Sequence, residues 1–296
     1  MLSQSMPSTV SRFYKFMEER HIIYERKKAG QPFPWTDDSI LQRYKFCNVF
    51  RELDTGTIWC REHIREPYWL AEQLFFNIAA YRSINSWETW QEVYTKERYR
   101  AGHSFIVEYH SEIIKDILIK RRNRGERIFT NAHMLTGVGG TDKVVMYTDK
   151  TWAQLWMRRR ELEPTEDDTL QSAFNKLLNA KIPAIGRFIA YEIITDLRHT
   201  RYLEHAKDIY TWANPGNGAK RGVMRIFYGR LLDKIPGDDY CIEAMQNLLQ
   251  MSTAYLPSGF PQLEMRDIEH TLCEFDKYER TRLGEGTARM RYVPHG

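Results

Sequence analysis

The sequence predicts an all-α fold with two helical lobes, and three observations carry the prediction. Apolar residues recur at three- and four-residue spacing along almost the whole chain. Alternating apolar and polar runs, the mark of a half-buried strand, are rare. At 296 residues the chain can build one large domain or two modest ones, with ample material for a core.

The elements follow in order. Val10, Phe13 and Met17 stripe a first helix. "TDDSILQRYKFCNVFREL" (36–53) carries Ile40, Leu41, Tyr44, Cys47 and Phe50 on one face of a second, with Thr36 or Asp37 as N-cap. "YWLAEQLFFNIAAYRSI" (68–84) is apolar nearly all round, which predicts a central, buried helix. Asn85 and Glu88 form a capping-box pattern for a short helix behind it. Further helices are expected over 105–120, 152–161, 169–179, 187–197, 218–232, 240–250 and 263–282. "KVVMYT" (143–148) is the one stretch that reads as a strand. The glycine-rich "TGVGGTD" (136–142) before it reads as a surface turn, because it lacks the GKS or GKT ending of a phosphate loop and no strand precedes it.

Hydrophobic residues make up 42% and charged residues 28%, the composition of a globular chain and not of a disordered one. No apolar run approaches the roughly 20 residues that span a bilayer. "MLSQSMPSTVSRFYKF" lacks the apolar centre of a secretory signal, so a cytoplasmic location and no membrane partner are expected. Cys47, Cys60, Cys241 and Cys273 form no CxxC pair, and the nine histidines form no HxxxH. These spacings exclude the common zinc-finger, iron–sulfur and zinc-deaminase patterns, so no metal ligand set is expected. A net charge of +4 is too mild to argue for nucleic acid, and distribution says more. From Arg198 to Arg230 seven Lys or Arg face two acids, a local excess that suits a strand of phosphates. "KDILIKRRNRGER" (115–127) is a second basic run, read as a solvated helix end.

"NAKIPAIGRFIAYEI" (179–193) breaks one helix and starts another at once. Pro183 sets one turn dihedral, and Gly186 is read as the residue free to adopt a conformation that a side chain forbids. The N–H groups at the second helix start carry partial positive charge, which suits a phosphate oxygen. The stretch resembles the helix-hairpin-helix of DNA-binding enzymes, whose hairpin is close to L-P-G-[VI]-G. Here it is Ile182, Pro183, Ala184, Ile185, Gly186, with Ala184 departing from the first glycine. The resemblance implies a two-lobed DNA glycosylase-like (HhH-GPD) fold, a single domain over 1–296. One lobe, about 68–197, would end in the hairpin; 1–67 with 198–296 would form the other. It also implies DNA contact at Ile185, Gly186 and Arg187, and a catalytic aspartate about twenty residues on, at the start of another helix. Asp208 stands there. Tyr81 and Arg82 would lie beside a flipped base, where the superfamily often has glutamine. Phe188 occupies the position of the Schiff-base lysine of bifunctional members, which argues against a lyase.

Four further stretches carry a narrower resemblance: "PFPWTDDSILQRYKFCNVFRELD" (32–54), "RIFTNAHM" (127–134), "WANPGNGAKRG" (212–222) and "DIEHTLCEFDKYER" (267–280). They resemble the α-glutamyl/putrescinyl thymine pyrophosphorylase group, a divergent branch of that superfamily whose helical domain also occurs beside hydroxymethyluracil DNA kinases. The likeness runs from about Pro32 to the C-terminus. It implies a role in phage thymine hypermodification: a kinase prepares a pyrophosphorylated 5-hydroxymethyluracil in DNA, and the glycosylase-like protein replaces pyrophosphate with an amino acid or putrescine. The implied partners are double-stranded DNA with the base flipped, the amine, and the kinase as a functional link. No resident cofactor is implied, though the chemistry is compatible with a divalent metal at the pyrophosphate. This sequence contains no P-loop, so the activated base must come from another enzyme.

Within the matched stretches Trp35 and Trp212, with Tyr81 and Arg82, are candidates for the base pocket; Tyr44 and Phe46 are further aromatics, and aromatics at helical spacing serve equally as core. Asn214, Lys220 and Arg221 lie at a turn into a helix and are candidates for the pyrophosphate, or a solvated helix start. Arg51 and Asp54, one turn apart, are candidates for catalysis or a structural pair, and Asp276 and Lys277 share that ambiguity. Asp208 would stabilise a cationic methylene or take the amine's proton. Two rivals stay open: a monofunctional glycosylase in which Asp208 activates water, and a non-catalytic DNA-binding module.

Overall fold

The computed structural model describes residues 6–95, 105–130, 140–288 and 290–293. In chain order the helices are α1 (Met6–Lys28), α2 (Ser39–Arg43), α3 (Thr55–Cys60), α4 (Leu74–Ile84), α5 (Trp87–Thr95), α6 (Ser111–Asn123), α7 (Lys143–Val145), α8 (Ala153–Met157), α9 (Arg159–Leu162), α10 (Leu170–Asn179), α11 (Arg187–Leu197), α12 (Asn217–Tyr228), α13 (Asp238–Tyr255) and α14 (Met265–Arg282). Arg51–Leu53 forms a 3-10 turn, and Arg61–Arg65 and Met146–Trp152 are π-helical. No strand occurs among the described residues; an isolated antiparallel bridge joins Tyr44 and Arg291. The all-α class stands. None of the described helices is long and apolar enough to cross a membrane.

The chain divides into two compact units, Met1–Asp54 with Ile209–Gly296, and Thr55–Asp208. The first is built on α12 and α14. Small residues let their backbones approach closely: a Cβ on Gly218 would run into Cys273 Sγ, and one on Gly222 into the Leu272 carbonyl. The expected α1 stripe is buried as Val10, Phe13 and Met17, and Phe13 meets Phe275 edge-on at 5.4 Å. The second unit centres on α4, every residue of which is buried. There Arg82 forms an ion pair with Asp196 of α11 and donates to Thr57 Oγ1 at 2.9 Å, so the buried charges satisfy each other.

Several local expectations are corrected. "KVVMYT" is helical, not extended: Asp142 Oδ1 accepts from Val144 N and Val145 N, and the apolar side chains Val144, Met146 and Tyr147 are buried. Burial and a cap outweigh the β-branched propensity. The long second helix is broken. Asp38, not Thr36 or Asp37, caps it, and the chain turns extended at Tyr44 (φ −118°, ψ 149°). Ser86 rather than Asn85 receives the Thr89 N–H at the start of α5, while Asn85 closes α4 in a left-handed conformation (φ 54°). The glycine-rich run falls mostly outside the described residues, as does the second half of "RIFTNAHM".

Helices α10 and α11 match the expected bounds and are joined by a short hairpin. Gly186 has φ −90° and ψ −178°, an extended conformation open to any residue. The left-handed residues are Lys181 (φ 51°) and Ala184 (φ 63°), so the special backbone falls on residues with a Cβ. Thr151 Oγ1 donates to the Pro183 carbonyl at 2.9 Å and ties the tip down. Ile185 is buried, whereas Gly186, Arg187 and Phe188 are exposed.

Candidate functional site

In the unit formed by Met1–Asp54 and Ile209–Gly296, three of the singled-out stretches meet around a set of ionisable groups. The extended segment after α2 is held by long-range bonds that a helix would forgo. Arg20 of α1 donates to the Phe46 carbonyl at 3.2 Å and to Asn48 Oδ1 at 2.8 Å. Cys47 N donates to Glu274 Oε2 at 3.2 Å. Asn48 then sends both its N–H and its side-chain amide to Asp54 Oδ1, each at 3.0 Å. The 3-10 turn that follows carries Arg51 beside Asp54. From α14 come Asp267, Glu269, His270, Glu274 and Lys277, with Lys277 bound to Glu274. The loop into α12 completes the set: Gly216 N donates to Glu269 Oε1 at 3.3 Å, and Arg266 Nη1 to Glu269 Oε2 at 2.9 Å.

Burial sets the electrostatics. It pushes the Asp54 carboxyl above the ordinary range, against the opposing pull of Arg51 and the Asn48 N–H. Glu269 rises for the same reason, with Arg266 and Gly216 N opposing. Burial carries Asp267 up to about 7 although Glu264 N binds its carboxylate. His270 falls well below the usual imidazole range, first through burial and then through Arg266, Arg51 and Lys277, so it is neutral at pH 7. Cys47 is raised by burial and by Glu274 and Asp54. Asp54, Glu269 and His270 share Arg51 as a neighbouring charge, and two raised carboxyls beside a suppressed imidazole are the pattern that acid–base sites and structural ion-pair networks have in common.

The structure places the other candidates as follows. Asp208 opens no helix: it lies in a run of turns, and its carboxylate accepts from Leu170 N at 2.8 Å and Gln171 N at 3.0 Å, closing the N-terminus of α10. Lys220 pairs with Asp238 at 2.6 Å and Arg221 with Asp276 at 2.7 Å, so both cations are neutralised within the unit. Gly218 and Gly222, on either side of Lys220 and Arg221, serve the close α12–α14 crossing. Asn214 is buried in the loop before Gly216. Tyr81 is fully buried and donates to the Gly56 carbonyl at 2.6 Å, and Arg82 is held by Asp196, so neither forms the wall of an open base pocket. Trp212 is buried as well. Trp35 is half-buried among Phe33 and Tyr292, with Lys27 over its ring at 5.7 Å. Ile185 turns inward, which leaves Gly186 and Arg187 as the exposed part of the hairpin. The basic runs are also partly spent: Arg225 binds Asp276 and Glu285, and Arg124 binds Glu92 and Glu126.

Glu269, His270, Glu274 and Cys47 were missed as site residues. One signal existed: Asp267, His270, Glu274 and Lys277 recur at three- and four-residue spacing, an ionisable stripe alongside the apolar stripe Ile268, Leu272 and Phe275. A helix that buries Asp267, His270 and Glu274 beside its apolar stripe carries charges inward.

The chain is similar to a 5-hmdU DNA kinase of Bacillus phage SP10, at 26% identity over 291 residues and 90% of this chain. It spans 44% of that relative's length. No solved structure gives a significant match. The family model for the helical domain of 5-hmdU DNA kinases matches residues 7–288, nearly the whole chain and both of its compact units. The chain therefore belongs to the family of 5-hmdU DNA kinase helical domains.

Proposed function

We propose that the protein acts in thymine hypermodification of phage DNA, as a transferase that replaces the pyrophosphate of 5-pyrophosphomethyl-uracil with an amine. The observation that carries this reading is the convergence of Arg51, Asp54, Glu269 and His270, from two separate motif segments, in one ionisable cluster that the Gly216 N–H of a third segment joins. The family match supports the modified base, since the kinase relative is named for 5-hmdU in DNA.

The reaction breaks the bond between the 5-methylene carbon and the pyrophosphate oxygen, whose electron pair leaves with pyrophosphate. A C–N bond forms to the amine, which gives up one proton. Arg51 offsets the charge that builds on the leaving oxygen. Glu269, raised by burial and oriented by Gly216 N and Arg266, takes the proton in place of Asp208. Asp54 lies in the field of Arg51 and balances its charge. In the other unit the exposed hairpin at Gly186 and Arg187 grips a phosphate in the manner of a helix-hairpin-helix.

The test is direct. DNA carrying the pyrophosphorylated base is incubated with the protein and a mixture of amino acids and putrescine, digested to nucleosides and analysed by mass spectrometry. A heavier base with an intact strand and released pyrophosphate is expected, and Glu269→Gln should lower turnover by about 10²–10⁴-fold. An abasic site would instead support a glycosylase. The kinase relative favours a second reading, a domain that recognises the modified base without altering it, which predicts binding and no change of mass.

A further inference from the structure

Cys47, Asp54 and His270 come from the extended segment, the end of the 3-10 turn and α14, yet each presents a ligand-type atom within 4.8 Å of the other two. The backbone around them is fixed. Cys47 N is held by Glu274 Oε2, and Asp54 takes both Asn48 bonds on Oδ1. His270 is 8% exposed, and its Nε2 is buried with no hydrogen-bond partner among the described residues. A buried imidazole nitrogen left in that state is costly unless something occupies it.

The donors themselves point the same way. A Cys47 thiolate and an ionised Asp54 supply two negative charges, the charge of one divalent ion. Sulfur, imidazole and a single carboxylate together suit zinc and its thiophilic neighbours, whereas magnesium prefers oxygen alone.

We propose that Cys47, Asp54 and His270 bind one thiophilic divalent cation, zinc by ligand type, leaving a fourth position for water or substrate. Binding releases the Cys47 thiol proton to solvent, takes the His270 lone pair and uses the ionised Asp54, so the ion and its ligands sum to zero charge. Tetrahedral zinc with bonds of about 2.0–2.3 Å needs ligand atoms about 3.3–3.8 Å apart, so the three side chains close in by small rotations. The inference goes beyond the transfer reaction and does not depend on it, because the ion can be counted without substrate.

The full chain, freed of any histidine tag, is loaded with zinc, dialysed and assayed by inductively coupled plasma mass spectrometry. About one zinc per chain is expected. Cys47→Ser and His270→Asn should each hold less than about a tenth of that, while Cys241→Ser keeps the full amount. Where a variant fails to fold, the wild-type protein answers alone: bound zinc should protect Cys47 from iodoacetamide in peptide mapping, and cobalt(II) should give a thiolate-to-metal absorption band. Unprotected Cys47, a zinc-free wild type, or unchanged zinc in Cys47→Ser would overturn the site.

Discussion

At the scale of a residue, Asp208 separates an acid that performs chemistry from one that closes a helix. Its two oxygens meet the first N–H groups of α10, which an α-helix leaves unpaired. Asp208→Ala should therefore cost about 1 kcal/mol, a fall of roughly 2–4 °C in a thermal melt. Turnover per folded molecule should stay near wild type; a loss of a hundredfold would return the residue to the mechanism. Asp168, beside the same helix start, makes a different prediction. Burial alone would raise its carboxyl, but Lys176 at 2.8 Å, Ser172 at 2.6 Å and Thr165 N at 2.9 Å outweigh burial and hold it down at about 2. A depressed acid stabilises the fold above its unfolded value near 4, and that stability is lost as pH falls toward 2. The wild-type melting temperature should drop more steeply across that window than that of Asp168→Asn, measured by circular dichroism at stepped pH.

At the scale of an element, faces were legible and interruptions were not. The α1 stripe, the buried α4 and the bounds of α10 and α11 follow from local periodicity. The break after Arg43 does not, because residues 44–50 have a helical pattern and lose it to partners far along the chain: Arg20 and Glu274 bind the extended backbone. The hairpin shows the same division. Its existence was visible in Pro183, but its left-handed residues proved to be Lys181 and Ala184 and not Gly186. Ala184→Gly should relieve that conformation and stabilise the protein by about 0.5–1 kcal/mol. Thermal melts of the two proteins check it, and a lower melting temperature would mean that the methyl group's packing outweighs the backbone strain.

At the scale of the whole molecule, net charge and charge pairing bear on DNA. The chain carries +4, and Lys220, Arg221, Arg225 and Arg124 are engaged by acids of their own unit. Under the proposed function, DNA affinity should fall with salt at a modest slope, about three phosphates' worth, where each neutralised phosphate contributes about −0.9. Arg187→Ala should reduce that slope by about one, read by fluorescence anisotropy over a salt series. An unchanged slope would detach the hairpin from DNA.

The sequence alone determined the helical class and the inward faces of most helices, because a 3.6-residue period is written locally and needs no partner. Only the tertiary structure decided which polar groups meet. Cys47 N reaches Glu274 across 227 positions, and Leu170 N finds Asp208 across 38. Buried donors and charges must be satisfied by whatever lies within about 3 Å, and that neighbour is chosen by how helices pack, not by the residues beside it in the chain.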